Sequence, residues 1–471
     1  MVVVLHLVCT ITIFIFNPGL NDQRKALEWI HHYIQGFGGD PENVTLFGES
    51  SGAMDIVYQL LSVANQTRPL FSRAIIQSAI IESYLPNVAR AGCHLSRIQS
   101  ALHVSSVDEL RTIDVEKLVE MRSLHRVIDD GEFFRKDWHE YFNHNPSSRS
   151  EKESASPLKD VPPRRSSRSR SRLRESRSTS TPLIPNLQAL NNLQPLIIGD
   201  CCSDSMLWSG PISTWTGPAV VRRLKACIQS LTKANNLLRA FEISSCTPDD
   251  ELPERLFELV NDARVAWPAE IIAGNAKRER GGRNVWRYVF DQEGPSRGVP
   301  HHVADLIYLF DNVPLPKIKS ATSLLPSSTD ACCYDCSFDD DVDNVDEEEE
   351  TDSERRRRSW GSSTSEEEWD TYVVDPFSYA RVRDTIQEKW IAFANGEAPW
   401  NEDKVFVFGP EGETGERSTC IFEGRRRRQL WKEVFEPLGM QLVQKVGVEP
   451  NNVHGSLEHF SRQGVISHPY L

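Results

Sequence analysis

Short apolar runs ending in glycine alternate along this chain with longer stretches of helical periodicity. Residues 44–47 and 195–198 read as buried strands, each closed by a glycine. Residues 21–35 read as a helix, with Ala26, Leu27, Ile30 and Ile34 on one face and Asp22 near its start. Further helices are predicted over 218–238, 253–276 and 377–395. Strands alternating with helices in this way predict an α/β fold with a central, mostly parallel sheet flanked by helices. Residues 2–16 are almost wholly apolar and rich in Val, Ile, Thr and Phe, which suits a buried strand. A signal sequence and a membrane anchor are the alternatives. The run is short for a span of about 20 residues, and it has neither a basic residue before it nor an Ala-x-Ala site after it.

Two segments break the pattern. Residues 148–182 carry seven arginines between Arg164 and Arg177 among serines, and residues 319–370 carry nine acids among the twelve residues 339–350. Neither holds enough apolar surface to offset the entropy of ordering, so both are expected to be disordered insertions. Setting them aside changes the length argument. The 471 residues then suit one large domain, 1–471, better than three at about 150 residues each.

Charge changes the picture less than it first promises. The formal net charge of −14 argues against a general nucleic-acid binder. Much of it belongs to the insertions, where the first has 10 basic against 4 acidic residues and the second 5 against 17. The ten cysteines are scattered, and Cys332, Cys333 and Cys336 have no second pair at zinc-site spacing. They read as unpaired thiols, and no metal site is expected.

Chemistry enters at Gly48-Glu49-Ser50-Ser51-Gly52, a G-x-S-x-G motif between a predicted strand and a predicted helix. A serine hydroxyl is a poor nucleophile unless it is lifted clear of the backbone, placed beside a base and faced by oxyanion donors. A strand–turn–helix does the lifting, with Gly48 and Gly52 expected where a Cβ would collide with neighbouring backbone. The Ser51 amide, at the helix start, would face the developing negative charge.

Residues 17–30 (NPGLNDQRKALEWI) and 37–53 (FGGDPENVTLFGESSGA) closely resemble the type-B carboxylesterase family, which includes carboxylesterases, cholinesterases and fungal lipases on the α/β-hydrolase fold. The resemblance is dense over residues 17 to about 90 and implies a serine ester hydrolase with Ser50 as nucleophile. It implies an acid five residues past the glycine of a later strand, here Asp204 after Gly199, with Asp200 as the rival; the family usually has Glu at that place. It implies a base in the loop Gly298-Val299-Pro300-His301-His302, three residues before an acid and an apolar run. His302 fits that register and His301 misses it by one, while Asp305 is expected to hold the loop. The late segment 390–400 resembles the family's last long helix, ending at Asn395-Gly396 before Pro399-Trp400.

By the same resemblance the enzyme would need no cofactor and no metal, would act on a small-molecule or lipid ester, and would have no obligate protein partner and no nucleic-acid partner. Membrane contact stays open. Much of the family is secreted, but with no clear signal peptide a cytoplasmic location stays open too. The family's His-Gly-Gly oxyanion loop has no counterpart before Ser50, where the only Gly-Gly pair, Gly38-Gly39, belongs to another motif. The expectation is therefore a domain incomplete at its N-terminus, with Ser51 left as oxyanion donor. Losing one donor costs about 10²–10³ in rate, so the alternative is a catalytically impaired relative acting as an interaction protein. Sequons stand at Asn43, expected to be buried, and at Asn65, usable only in a secreted chain.

Overall fold

The computed structural model describes residues 3–4, 17–120, 127–143, 193–295, 297–315 and 374–451. The predicted insertions at 148–182 and 319–370 lie outside the described residues. So does most of the apolar run 2–16, apart from the two residues of its first strand.

Among the described residues seven strands form one sheet in chain order: β1 (Val3–Val4), β2 (Thr45–Glu49), β3 (Arg73–Gln77), β4 (Leu196–Cys201), β5 (Val285–Phe290), β6 (Val405–Phe408) and β7 (Thr414–Arg417). The first six are parallel, and β7 returns antiparallel to β6. Every residue of β4 and β5 is buried. This is why their sequences show no apolar–polar alternation: a parallel sheet is covered on both faces, and the two charged residues they carry, Asp200 and Arg287, pair with each other.

Leu196 and Ile198 of β4 face the larger layer, which includes α1 (Pro18–Tyr33), α2 (Ser51–Leu60), α3 (Trp267–Glu279) and α6 (Met440–Val448). Ile197 and Cys201 face the other layer, built on α4 (Ala304–Phe310) and α5 (Pro376–Ala394). The aromatic rings of Tyr288, Phe290, Phe406 and Phe408 fill the space beneath these two helices. Among the described residues no helix is long and apolar enough to cross a membrane.

Several elements differ from the sequence reading for local reasons. Pro18 at the first helical position starts α1 earlier than predicted, so Asp22 lies beyond its first turn. The predicted helix 218–238 is two, Gly217–Ile228 and Leu231–Ala240. Gln229 ends the first in a left-handed conformation, φ 57°, which no glycine or proline announces. The predicted helix 253–276 contains a turn of π-helix at Asp262–Ala266. Asn65 is buried and its amide pairs with Gln194.

Candidate active site

Strand β2 delivers the serine. Ser50 follows Glu49 directly, with φ 60° and ψ −120°, and α2 begins at the next residue. A non-glycine residue held there stores about 1–3 kcal/mol of backbone strain, which persists only where the surroundings fix it. One fixing contact is the Ser50 amide, which donates to the Gln77 carbonyl at 3.0 Å. A Cβ on Gly48 would lie 2.7 Å from the Gly52 backbone, so α2 approaches β2 as closely as glycine allows. At Gly52 the expected collision does not arise: a Cβ there would meet nothing within 4 Å. The turn needs its first glycine for space. The Ser51 amide belongs to the first turn of α2, whose N–H groups have no intrahelical acceptor.

The acid and the base meet beyond the ends of β4 and β5. Asp204 is fully buried in the short helix that follows β4, and one of its oxygens accepts the Cys201 amide at 3.0 Å. His302 Nδ1 lies 2.7 Å from the other, so that ring nitrogen carries the proton and donates it. The two loops are joined by backbone as well. Ser203 and His301 form a parallel bridge, and the Ser203 amide donates to the Pro300 carbonyl at 3.0 Å.

The rival residues stand elsewhere. Asp200 is fully buried against Arg287 and Arg426, with Arg426 Nε 2.6 Å from its carboxylate. These two guanidinium groups outweigh the cost of burial and hold its carboxyl below the ordinary range. His301 donates from Nδ1 to the His302 carbonyl at 2.6 Å, while the bond to Asp204 is made by His302. Asp305 accepts from Gln77 at 2.8 Å, from the Tyr288 hydroxyl at 2.9 Å and from the Leu306 amide at 3.0 Å. Gly199 makes the tyrosine's approach possible: a Cβ there would fall 1.9 Å from the ring of Tyr288.

Glu49 is a residue the sequence reading passed over. It sits inside the serine motif, and its carboxylate comes within 3.5 Å of His302 Nδ1. Neither of its oxygens has a hydrogen bond of ordinary geometry. Burial, reinforced by the charges of Asp305 and Asp204, pushes its carboxyl well above the usual range, with Ser78 and the Val303 backbone compensating weakly. Asp305 is raised as well, chiefly by burial. The signal was the position itself: side chains alternate along a strand, so a residue beside the elbow serine at the end of β2 points to the loops that extend its neighbours. Glu49, Asp204 and His302 are also the one set among the described residues whose ligand-type atoms lie close enough for a cation, all within 4.8 Å. Their His nitrogen is already engaged with Asp204.

Comparison with known proteins finds a family likeness in the part of the chain that carries Ser50. The model of the carboxylesterase family matches residues 16–153. The chain is 38% identical over 104 residues to carboxylesterase patB of Penicillium expansum, covering 22% of this chain and 18% of that protein. It is 40% identical over 139 residues to acetylcholinesterase of Bungarus fasciatus, covering 25% and 22% of the two. With the para-nitrobenzyl esterase of Bacillus subtilis (strain 168) the identity is 33% over 119 residues, covering 25% and 24%. Each of these matches thus spans about a quarter or less of the relative's length. The fold match extends further. A carboxylesterase of Geobacillus stearothermophilus superposes over 87% of this chain and 69% of its own, with a TM-score of 0.52 at 16% identity. Residues 16–153 thus resemble the carboxylesterase family, and the chain shares the α/β-hydrolase fold of the Geobacillus enzyme.

Proposed function

We propose that the protein is a carboxylic ester hydrolase working through an acyl-serine intermediate, with Ser50 as nucleophile, His302 as general base and Asp204 as the orienting acid. The observation that carries this reading is the 2.7 Å contact between His302 Nδ1 and the buried carboxylate of Asp204; Glu49, the residue before Ser50 in its strained elbow, comes within 3.5 Å of the same nitrogen. With Nδ1 protonated and engaged, Nε2 is the basic nitrogen. It takes the Ser50 proton as Oγ attacks the ester carbonyl, and Asp204 stabilises the imidazolium formed. The Ser51 amide, at the positive end of α2, donates to the oxyanion. Nε2 then protonates the departing alcohol, leaving the acyl group on Ser50. Water, deprotonated by the same nitrogen, attacks the acyl-serine; the acid product leaves and Ser50 recovers its proton. The substrate class is a small-molecule ester.

The test is hydrolysis of a short-chain nitrophenyl ester by the full chain, with fluorophosphonate labelling read alongside. Ser50→Ala is expected to abolish both. Turnover that survives in that variant would remove Ser50 from the reaction.

A further inference from the structure

The residue before the proposed base belongs to neither the catalytic set nor the solvent. The His301 ring is buried, 5% exposed, and donates from Nδ1 to the carbonyl of His302 at 2.6 Å. Its Nε2 is buried with no hydrogen-bond partner among the described residues. The ring is seated against backbone: a Cβ on Gly294 would lie 2.5 Å from that nitrogen. Burial lowers the basicity of the ring, the bond to the His302 carbonyl opposes this, and the charges of Arg297 and His302 add to the lowering; Nδ1 can donate in either protonation state.

What the bond holds is a strained turn. Val303, directly after His302, has φ 66° and ψ 9°. For a β-branched side chain this is a genuine outlier, because Cβ crowds the backbone there. The strain falls at the peptide whose carbonyl His301 grips, which is the peptide joining His302 to Val303. That carbonyl's direction fixes ψ of His302, and with it the departure of the imidazole from the chain. The His301 backbone meanwhile bridges to Ser203, one residue before Asp204. The acid loop is thus tied to this segment next to His301, where the Ser203 amide donates to the Pro300 carbonyl, and the base to the His301 side chain.

We infer that His301 is a positioning residue, whose Nδ1–H···O=C bond to His302 holds the strained His302–Val303 peptide and so keeps the His302 imidazole in reach of Asp204. The inference builds on the catalytic reading above, but its first readout does not depend on turnover. In the full chain, the Nδ1 proton of His302 shared with Asp204 is followed as a downfield proton resonance. His301→Phe keeps the ring's bulk and removes the donor; His301→Asn places an amide N–H close to where Nδ1 stood.

The expected result is a resonance broadened or lost in His301→Phe and recovered in His301→Asn, each folded by circular dichroism. Gly294→Ala, which displaces the ring from outside, should copy His301→Phe. Ester turnover should follow the same order. kcat in His301→Phe should fall about 10²-fold, the scale of a misplacement near 1 Å, with KM little changed. An unaltered resonance in folded His301→Phe overturns the positioning role whether or not esters are cleaved. So does failure of His301→Asn to recover it, since the ring would then act by packing alone. If the resonance responds as expected while the unmodified chain neither hydrolyses esters nor takes a fluorophosphonate, the catalytic reading fails and the positioning role stands.

Discussion

Two groups of buried acids lie at the ends of β4 and β5, and they are built on opposite terms. Around Asp200, cations match the carboxylates. Asp200 meets Arg287 and Arg426, and Asp291 meets Arg426 at 2.9 Å and Arg425 at 3.0 Å. Glu49, Asp204 and Asp305 crowd around His302 with, among the described residues, no arginine or lysine bonded to any of them. Their partners are amides, a tyrosine hydroxyl and one imidazole. The first group is electrically closed, and burial of Asp200 ends with its carboxyl held low. The second is left open, and the same desolvation raises Glu49 and Asp305. A closed cluster fixes backbone. An open one makes each proton's position depend on its neighbours, a property expected of a site that moves protons.

This contrast is broken most sharply on the open side. Asp204→Asn keeps the shape of the side chain but lets its amide face His302 Nδ1, which favours the wrong tautomer. It should lower kcat by about 10⁴-fold, the scale of the same change in serine proteases, with the thermal midpoint little moved. A small loss would mean that another carboxylate, Glu49 first, orients the ring. On the closed side, Arg426→Met strands Asp200 and Asp291 with fewer cations. Breaking a buried pair in this way costs about 3–5 kcal/mol, read as a lower denaturant midpoint. Turnover per folded molecule should hold up better than in Asp204→Asn. If activity falls in step with Asp204→Asn while stability is unchanged, the separation into a structural and a chemical group is wrong.

How much of this was legible in the sequence follows the range of the interactions involved. Local geometry was: Gly48 and the apolar run of α2 frame Ser50, and His302 stands a fixed number of residues before Asp305 and α4. The choice of Asp204 over Asp200 rested on the family's spacing, because nothing near Asp200 in sequence announces its partners, Arg287 and Arg426, 87 and 226 residues away. Glu49 could be read only by its place beside the elbow serine, and the groups that meet it there lie far away in sequence. Its significance comes from three other loops converging on it, not from its neighbours in the motif. The break at Gln229 escaped because an ordinary residue took the left-handed conformation usually left to glycine. In β5 the sequence VWRYVF hid a buried strand by carrying an arginine whose charge is met by Asp200 on β4.

Asp55 on α2 isolates the effect of burial. The Gln23 amide donates to it at 2.6 Å, and desolvation raises its pKa from 3.8 to about 6. Glu49 adds to burial the charges of two other acids, so a comparison of the two separates these causes. The sign follows from proton counting. Between pH 3.8 and about 6 the folded chain holds a proton at Asp55 that the unfolded chain has released, so stability falls as pH rises across that window and stays lower above it. Asp55→Asn removes the ionisation and keeps a group that bonds to Gln23. It should therefore stabilise the protein at pH 7 by about 1–3 kcal/mol and leave it little changed at pH 4. Urea midpoints of the two proteins at both pH values decide the matter. An equal difference at the two would show that the gain is one of packing, and that burial alone does not account for raised carboxyls in this fold.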